Sequence, residues 1–150
     1  MPIPTQKFCI ILRGLPGTGK TYIAKKYLSH IAHAFDPVPD PVILSSDDYF
    51  ITNGVYTFDK YEIQEAYKDT WKKFREEVEK NSPFIIIDNT NIRKFHYLHY
   101  LDYATRHNYI TVILITPHLD LNNRELSERN IHNVSQESIR IMRKNFEWGM

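Results

Sequence analysis

Eight consecutive residues carry the clearest chemistry in this chain: Gly14-Leu15-Pro16-Gly17-Thr18-Gly19-Lys20-Thr21. A glycine, four free positions, then Gly-Lys-Thr is the spacing of a loop that wraps phosphate. Glycine backbone reaches conformations closed to other residues, so successive N–H groups can turn inward around an anion. The Lys20 ammonium can reach terminal phosphates, and the Thr21 hydroxyl can ligate Mg²⁺. A helix starting here would point its positive dipole end at the same anion. The candidate nucleotide-binding set is therefore Leu15, Pro16, Gly17, Thr18, Gly19, Lys20, Thr21 and the adjoining Tyr22.

Two acidic segments could serve such a loop: Ser45-Ser46-Asp47-Asp48-Tyr49-Phe50 and Asp88-Asn89-Thr90-Asn91. Phosphoryl transfer needs a metal bridging the phosphates and a carboxylate that takes the proton of the attacking group. Asp47 is the candidate base, and Asp88 the candidate partner of Thr21 at the metal. Asp47, Asp48, Asn89 and Asn91 are the candidate acceptor contacts. Asp and Asn after strands also cap helices and turns, and that reading competes with the catalytic one. Further on, residues 119–135 hold Arg124, Arg129 and His132. A short helical lid there could bring cations to a transferring phosphoryl group, with Arg124 and Arg129 added to the nucleotide contacts and Arg129 best placed for catalysis. The competing reading is a solvated helix face on which Glu125 pairs with Arg129.

The elements that must position these residues alternate. Phe8 to Leu12, Val42 to Ser45, Phe84 to Ile87 and Ile110 to Ile115 are short apolar runs that read as strands. Tyr22, Ile23, Tyr27, Leu28 and Ile31 recur at helical spacing after the loop. Asp59 to Lys80 is the strongest helix signal, with Ile63, Tyr67, Trp71, Phe74 and Val78 on one stripe. Arg93 to Asn108 predicts a helix with Phe95, Leu98, Leu101 and Ala104 inward. Short helices are expected near Leu121 to Asn130 and Gln136 to Phe146. Strands that do not alternate are covered on both faces. The fold class is thus α/β, a P-loop NTPase/kinase fold: a parallel sheet of four to five strands, helices on both faces and a short helical lid. In such sheets ligands bind beyond the carboxyl ends of the strands, where the loop and both acidic segments fall.

The chain has 150 residues, 42% of them hydrophobic and 25% charged, and reads as one globular domain over 1–150. Three prolines between Asp36 and Pro41 end the first helix without making a domain boundary. No apolar run approaches the roughly 20 residues that span a bilayer, so no membrane role is expected. Met1 to Lys7 lacks signal-peptide character. The single cysteine, Cys9, fits a reducing compartment, the cytoplasm first and the nucleus as the alternative. A net charge of +1 does not suit binding along a nucleic-acid backbone, but recognition of a strand end needs few cations. His96 and His99 lack the further ligands of a zinc set, and Tyr97, Tyr100 and Tyr103 suit a core as well as base stacking.

Taken together, Gly14–Thr21, Ser46-Asp47-Asp48-Tyr49-Phe50, Tyr56-Thr57-Phe58-Asp59, Ile87-Asp88-Asn89-Thr90-Asn91 and Glu125-Leu126-Ser127-Glu128-Arg129-Asn130 resemble, in order and spacing, the polynucleotide-kinase-like P-loop kinases. Within them the chain looks most like the kinase domain of Nedd4-binding-protein-like proteins. The resemblance implies ATP or another nucleoside triphosphate as donor, Mg²⁺, and a 5′-hydroxyl end of DNA or RNA as acceptor. It implies Lys20 and Thr21 at phosphate and metal, Asp47 as general base and Arg129 as a lid arginine. Two positions depart from the pattern. Phe50 stands where phage-type enzymes carry an arginine for the acceptor's phosphate. His132-Asn133-Val134-Ser135 replaces His-Gly-Val-Pro in the lid. Three readings follow: a 5′-hydroxyl polynucleotide kinase, a small-molecule or nucleoside kinase on the same scaffold, and a nucleotide-binding interaction module without turnover.

Overall fold

The structure is a computed structural model that describes residues 6–33, 40–116 and 121–148. Most of the proline-rich stretch 36–41, the start of the expected lid at 119–120 and residues 1–5 of the N-terminal reading lie outside the described residues. Strand β1 (Lys7–Arg13) leads into the glycine loop and then a helix, α1, running over Lys20–Tyr22, a π segment Ile23–Leu28, and Ser29–His33. Strand β2 (Val42–Leu44) is followed by a 3₁₀ turn, Ser46–Phe50, and a hairpin of β3 (Ile51–Thr52) and β4 (Val55–Tyr56). Helix α2 (Ile63–Glu79) precedes β5 (Phe84–Asp88), α3 (Leu98–Arg106) and β6 (Tyr109–Ile115). Helices α4 (Asn123–Arg129) and α5 (Gln136–Asn145) complete the described fold.

Four strands form one parallel sheet in the order β2-β5-β1-β6. Side chains alternate between its two faces. Cys9, Ile11, Ile85 and Ile87 pack with Phe74, Val78, Tyr97, Tyr100 and Ala104 of the α2–α3 side. Ile10, Leu12, Phe84 and Ile86 pack with Ala24 and Leu28 of α1. Both faces are thus covered, which is why the strands read as unbroken apolar runs. Burial pushes the Cys9 thiol up to about 12, as suits an inert core residue.

The inward faces of three helices differ from the sequence expectation. On α1 it is Ala24 and Leu28 that face the sheet and Lys20 that is buried at the glycine loop, while Tyr22, Tyr27 and Ile31 are exposed. On α2 the buried residues are Ala66, Thr70, Phe74 and Val78; Ile63 and Tyr67 line a cleft instead. On the third, Phe95 and Leu98 are exposed and Tyr97, Tyr100 and Ala104 are buried. There a 3₁₀ turn over Lys94–His96 precedes the α-helix. Three residues per turn instead of 3.6 shifts the phase of everything after it.

A third apolar cluster fixes the lid. Leu15, inside the glycine loop, is buried with Ile92, Leu126 of α4, Ile139 of α5 and Phe146. Arg13 locks the same region: its guanidinium donates to the carbonyls of Asn91 (2.8 Å), Ile92 (2.9 Å) and Glu147 (2.7 Å) and lies between the Tyr97 and Phe146 rings, 4.6 Å from each centroid.

Candidate active site

A cleft of about 780 Å³ opens at the carboxyl ends of the strands. The glycine loop forms one wall through Pro16, Gly17, Gly19, Lys20, Thr21 and Tyr22. Gly17 has φ 83°, and a Cβ there would collide with the Leu126 carbonyl of α4. Gly19 has φ 92° with open space above it, so the loop can meet a ligand with bare backbone. Lys20 is buried, and its Nζ donates to the Leu15 carbonyl at 3.0 Å. Burial lowers its pKa to about 8; Asp88 and then Asp47 oppose the shift.

Strand β5 delivers Asp88 to the foot of the loop. The Thr21 hydroxyl donates to Asp88 Oδ2 at 2.8 Å. Burial raises the Asp88 carboxyl above the usual carboxylate range, while Thr21 and Lys20 pull the other way. A hydroxyl and a buried, under-compensated carboxylate suit a hard cation such as Mg²⁺. Among the described residues no group of three or more His, Cys, Asp or Glu could hold a metal alone. The donor set therefore fits an ion shared with bound phosphates, the usual mode for Mg²⁺.

Asp47 enters from the 3₁₀ turn after β2. Ser45 Oγ caps that turn by accepting from Asp47 N at 3.2 Å. Asn89 Oδ1 accepts from Ser46 N at 2.8 Å, tying the turn to the end of β5. Tyr56 Oη donates to Asp47 Oδ1 at 3.4 Å, and His132 Nε2 lies 3.4 Å from Asp47 Oδ2. Burial, then the Asp47 charge, push the Tyr56 hydroxyl up to about 12. Tyr56, Phe58, Ile63 and Tyr67 give this end of the cleft an aromatic and apolar wall.

The lid is built as the sequence implies, with its departures resolved locally. Asn130 follows α4 and folds the next loop around itself. Its Oδ1 accepts from His132 N (3.1 Å) and Val134 N (3.0 Å), and its Nδ2 donates to Ser127 O (2.7 Å). Asn133, in place of the expected glycine, has φ 56°, a region asparagine tolerates. Ser135, in place of proline, caps α5 by accepting from Ser138 N at 3.1 Å. Arg129 lines the cleft and has no ion pair with Glu125. The i,i+4 pair on α4 is instead Arg124 with Glu128.

Several sequence expectations are corrected. Arg124 is exposed, paired and absent from the cleft wall. Asn91 is buried and absent from the cleft wall: at φ 47° it donates from Nδ2 to Leu12 O at 2.7 Å. The Leu15 side chain belongs to the core. Thr18 turns away to bond Leu15 O and Thr116 Oγ1. Asp48 does not line the cleft, and burial raises its carboxyl, with Lys73 the largest opposing influence. Phe50 is buried among Tyr49, Tyr56 and Phe58 and is absent from the cleft wall. The β3–β4 hairpin and the role of Tyr56 escaped the sequence reading, although Asn53-Gly54 is the preferred two-residue hairpin turn.

Comparison with known proteins agrees with this architecture. A family model described as "AAA domain" matches residues 9–148. The chain is 36% identical over 140 residues to human NEDD4-binding protein 2, a match that covers 92% of this chain and 8% of that protein's length. Kti12 of Chaetomium thermophilum, solved in complex with ADP-AlF3, superposes with a TM-score of 0.63 at 16% identity, covering 93% of this chain and 80% of that one. The Mycobacterium tuberculosis APS kinase CysC superposes with a TM-score of 0.53 at 12% identity, covering 75% and 77%. Among the described residues no helix is long and apolar enough to cross a membrane. The parallel sheet, the glycine loop and the helices on both faces make this an α/β P-loop NTPase fold, and the chain belongs to the AAA domain family.

Proposed function

We propose that this domain transfers the γ-phosphoryl group of ATP, or another nucleoside triphosphate, to a hydroxyl, and that the acceptor is the 5′-hydroxyl end of DNA or RNA. The observation that carries the reading is the shared cleft: Lys20, Thr21, Asp88, Asp47 and the lid's Arg129 all stand on its wall. A protein that only bound nucleotide would have no use for a second carboxylate, Asp47, on the same wall beside the metal's Asp88.

In this account the loop backbone and Lys20 hold the phosphates, and Thr21 with Asp88 would hold Mg²⁺. Bound there, the ion would neutralise charge on the phosphate oxygens. The acceptor oxygen bonds to the γ-phosphorus as the bond from that phosphorus to the β–γ bridging oxygen breaks. The acceptor proton passes to Asp47, and the bridging electron pair leaves with ADP. Arg129 offers a planar fork to the transferring oxygens. The aromatic wall of Tyr56, Phe58 and Tyr67 suits the face of a nucleobase beside the reacting hydroxyl.

Phe50 favours a second reading. Its burial leaves no cation at that position for an internucleotide phosphate, and a nucleoside or other small alcohol would need none. Labelling from γ-³²P-ATP decides between them. Transfer to 5′-hydroxyl oligonucleotides but not to their 5′-phosphorylated forms supports the first reading. Label found only on nucleosides would replace it with the second, and nucleotide binding without any transfer would leave an interaction module.

A further inference from the structure

His132 lies in the cleft, but the transfer chemistry above gives it no task. It stands in the loop between α4 and α5, yet its imidazole sits on the β3–β4 hairpin, 4.5 Å from the Tyr56 ring centroid. Its Nε2 is 3.4 Å from Asp47 Oδ2, while Tyr56 Oη donates to Oδ1. The candidate base is therefore met at both oxygens, by a hydrogen bond from the hairpin and by a nearby ring nitrogen from the lid.

The other ring nitrogen fixes the proton. His132 Nδ1 is buried and has no hydrogen-bond partner among the described residues. A proton on Nδ1 would strand a buried donor, and orphaned buried N–H groups are rarer in folded proteins than under-satisfied acceptors. The Nε2–H tautomer avoids this and puts the hydrogen on the nitrogen that neighbours Asp47. Each carboxylate oxygen accepts more than one hydrogen bond. Tyr56 and His132 can thus hold Asp47 and still leave it a lone pair for the acceptor's proton. Without them the carboxylate torsion is soft, because such sp³–sp² rotations have broad minima.

We propose that His132 is a positioning residue for the phosphoryl transfer: its Nε2–H orients the Asp47 carboxylate and makes that orientation depend on the seating of the lid. The coupling is built in, because Asn130 holds the His132 backbone N–H (3.1 Å) and directly follows Arg129. The lid arginine and the contact to the base then arrive as one unit. The inference rests on the phosphotransfer reading above.

Two experiments test it. The first needs no turnover: long-range ¹H–¹⁵N spectra of the His132 ring in the ligand-free protein. The Nε2–H tautomer is expected in the parent and in Asp47→Ala, and Asp47→Ala should shift the Nε2 and Hε2 resonances because that N–H loses its neighbour. An Nδ1–H tautomer, or spectra indifferent to Asp47→Ala, overturns the proposal whatever the kinetics show. The second uses steady-state kinetics. His132→Phe keeps a ring on Tyr56 and removes the donor, while His132→Gln restores an N–H at similar reach. We expect His132→Phe to lower kcat about 10- to 100-fold, as for groups that orient a functional ligand, with little change in the KM for ATP. His132→Gln should recover most of that loss, and His132→Phe should add nothing in an Asp47→Asn background. An unchanged kcat in His132→Phe, with an active parent, overturns the positioning role alone. A parent that binds ATP but transfers no phosphoryl group overturns the phosphotransfer reading and this role with it.

Discussion

Replacing Lys20 with methionine should make the free protein more stable and abolish its function. Burial holds the Lys20 pKa near 8 against an ordinary 10.5, a difference equivalent to about 3 kcal/mol against the charged form. The sign follows from proton counts. Between the two values the unfolded chain keeps a proton that the native state has lost, so stability rises with pH across that window, and below it the full penalty stands. Methionine retains the unbranched stem but leaves the Leu15 carbonyl without its 3.0 Å partner, a loss of about 1 kcal/mol. The net gain near neutral pH is then about 2 kcal/mol, or roughly 4–8 °C in Tm for a chain of this size. By about pH 10 it should have faded to near zero, because the parent has by then shed its own penalty. Thermal unfolding of both proteins at pH 7 and pH 10 is the assay. A Lys20→Met protein that melts at or below the parent at pH 7 would refute the reasoning and show that the ammonium is not penalised by burial. A polyphosphate beside Nζ restores the charged form, so ATP binding above pH 8 should draw in a proton, measurable by calorimetry in buffers of different ionisation enthalpy.

Other expectations concern the lid and the second acidic residue. Arg129→Lys should lower kcat by about 10³-fold and raise the KM for ATP, since a guanidinium fork at the transition state is worth about 10³–10⁵; Arg124→Ala should be near neutral, and steady-state kinetics with varied ATP compares the two. Asp48→Asn should leave kcat within about threefold of the parent, far from the factor of 10²–10⁴ typical of a base, and a larger loss would reverse the roles of the two aspartates. Asn133→Gly should keep Tm and activity, whereas Asn133→Val should cost on the order of 1–3 kcal/mol in unfolding experiments, because a β-branched residue resists φ 56°.

What could be read from the sequence, and what could not, divides by range. Gly14–Thr21 works through its own backbone, so its pattern is local and the loop is found where the pattern puts it. Asp88 closes a strand whose five residues are all buried, and the carboxyl-end rule brings it to Thr21 without knowledge of any contact. The errors lie where small residues or a phase shift choose a helix face. Ala24 and Ala66 are fully buried because the helix backbones must approach their neighbours closely, yet large exposed side chains dominate a hydrophobic stripe. The 3₁₀ turn at Lys94–His96 rotated Phe95 and Leu98 outward, and nothing in their composition announces it. Arg13 reads as the polar end of an apolar strand, and only the packed Phe146 segment shows it as a buried clamp. The contact of His132 with Asp47 joins residues 85 positions apart through the Asn130 loop, which no sequence spacing displays.

The central claim is that Asp47 takes the acceptor's proton while the glycine loop holds the donor. A single-turnover measurement of γ-³²P transfer to a 5′-hydroxyl oligonucleotide, run with an ATP-binding titration on the parent and on Asp47→Asn, tests it most directly. The account predicts a transfer rate about 10²–10⁴-fold lower in Asp47→Asn with ATP affinity unchanged. Transfer at the parent rate in that variant would contradict it.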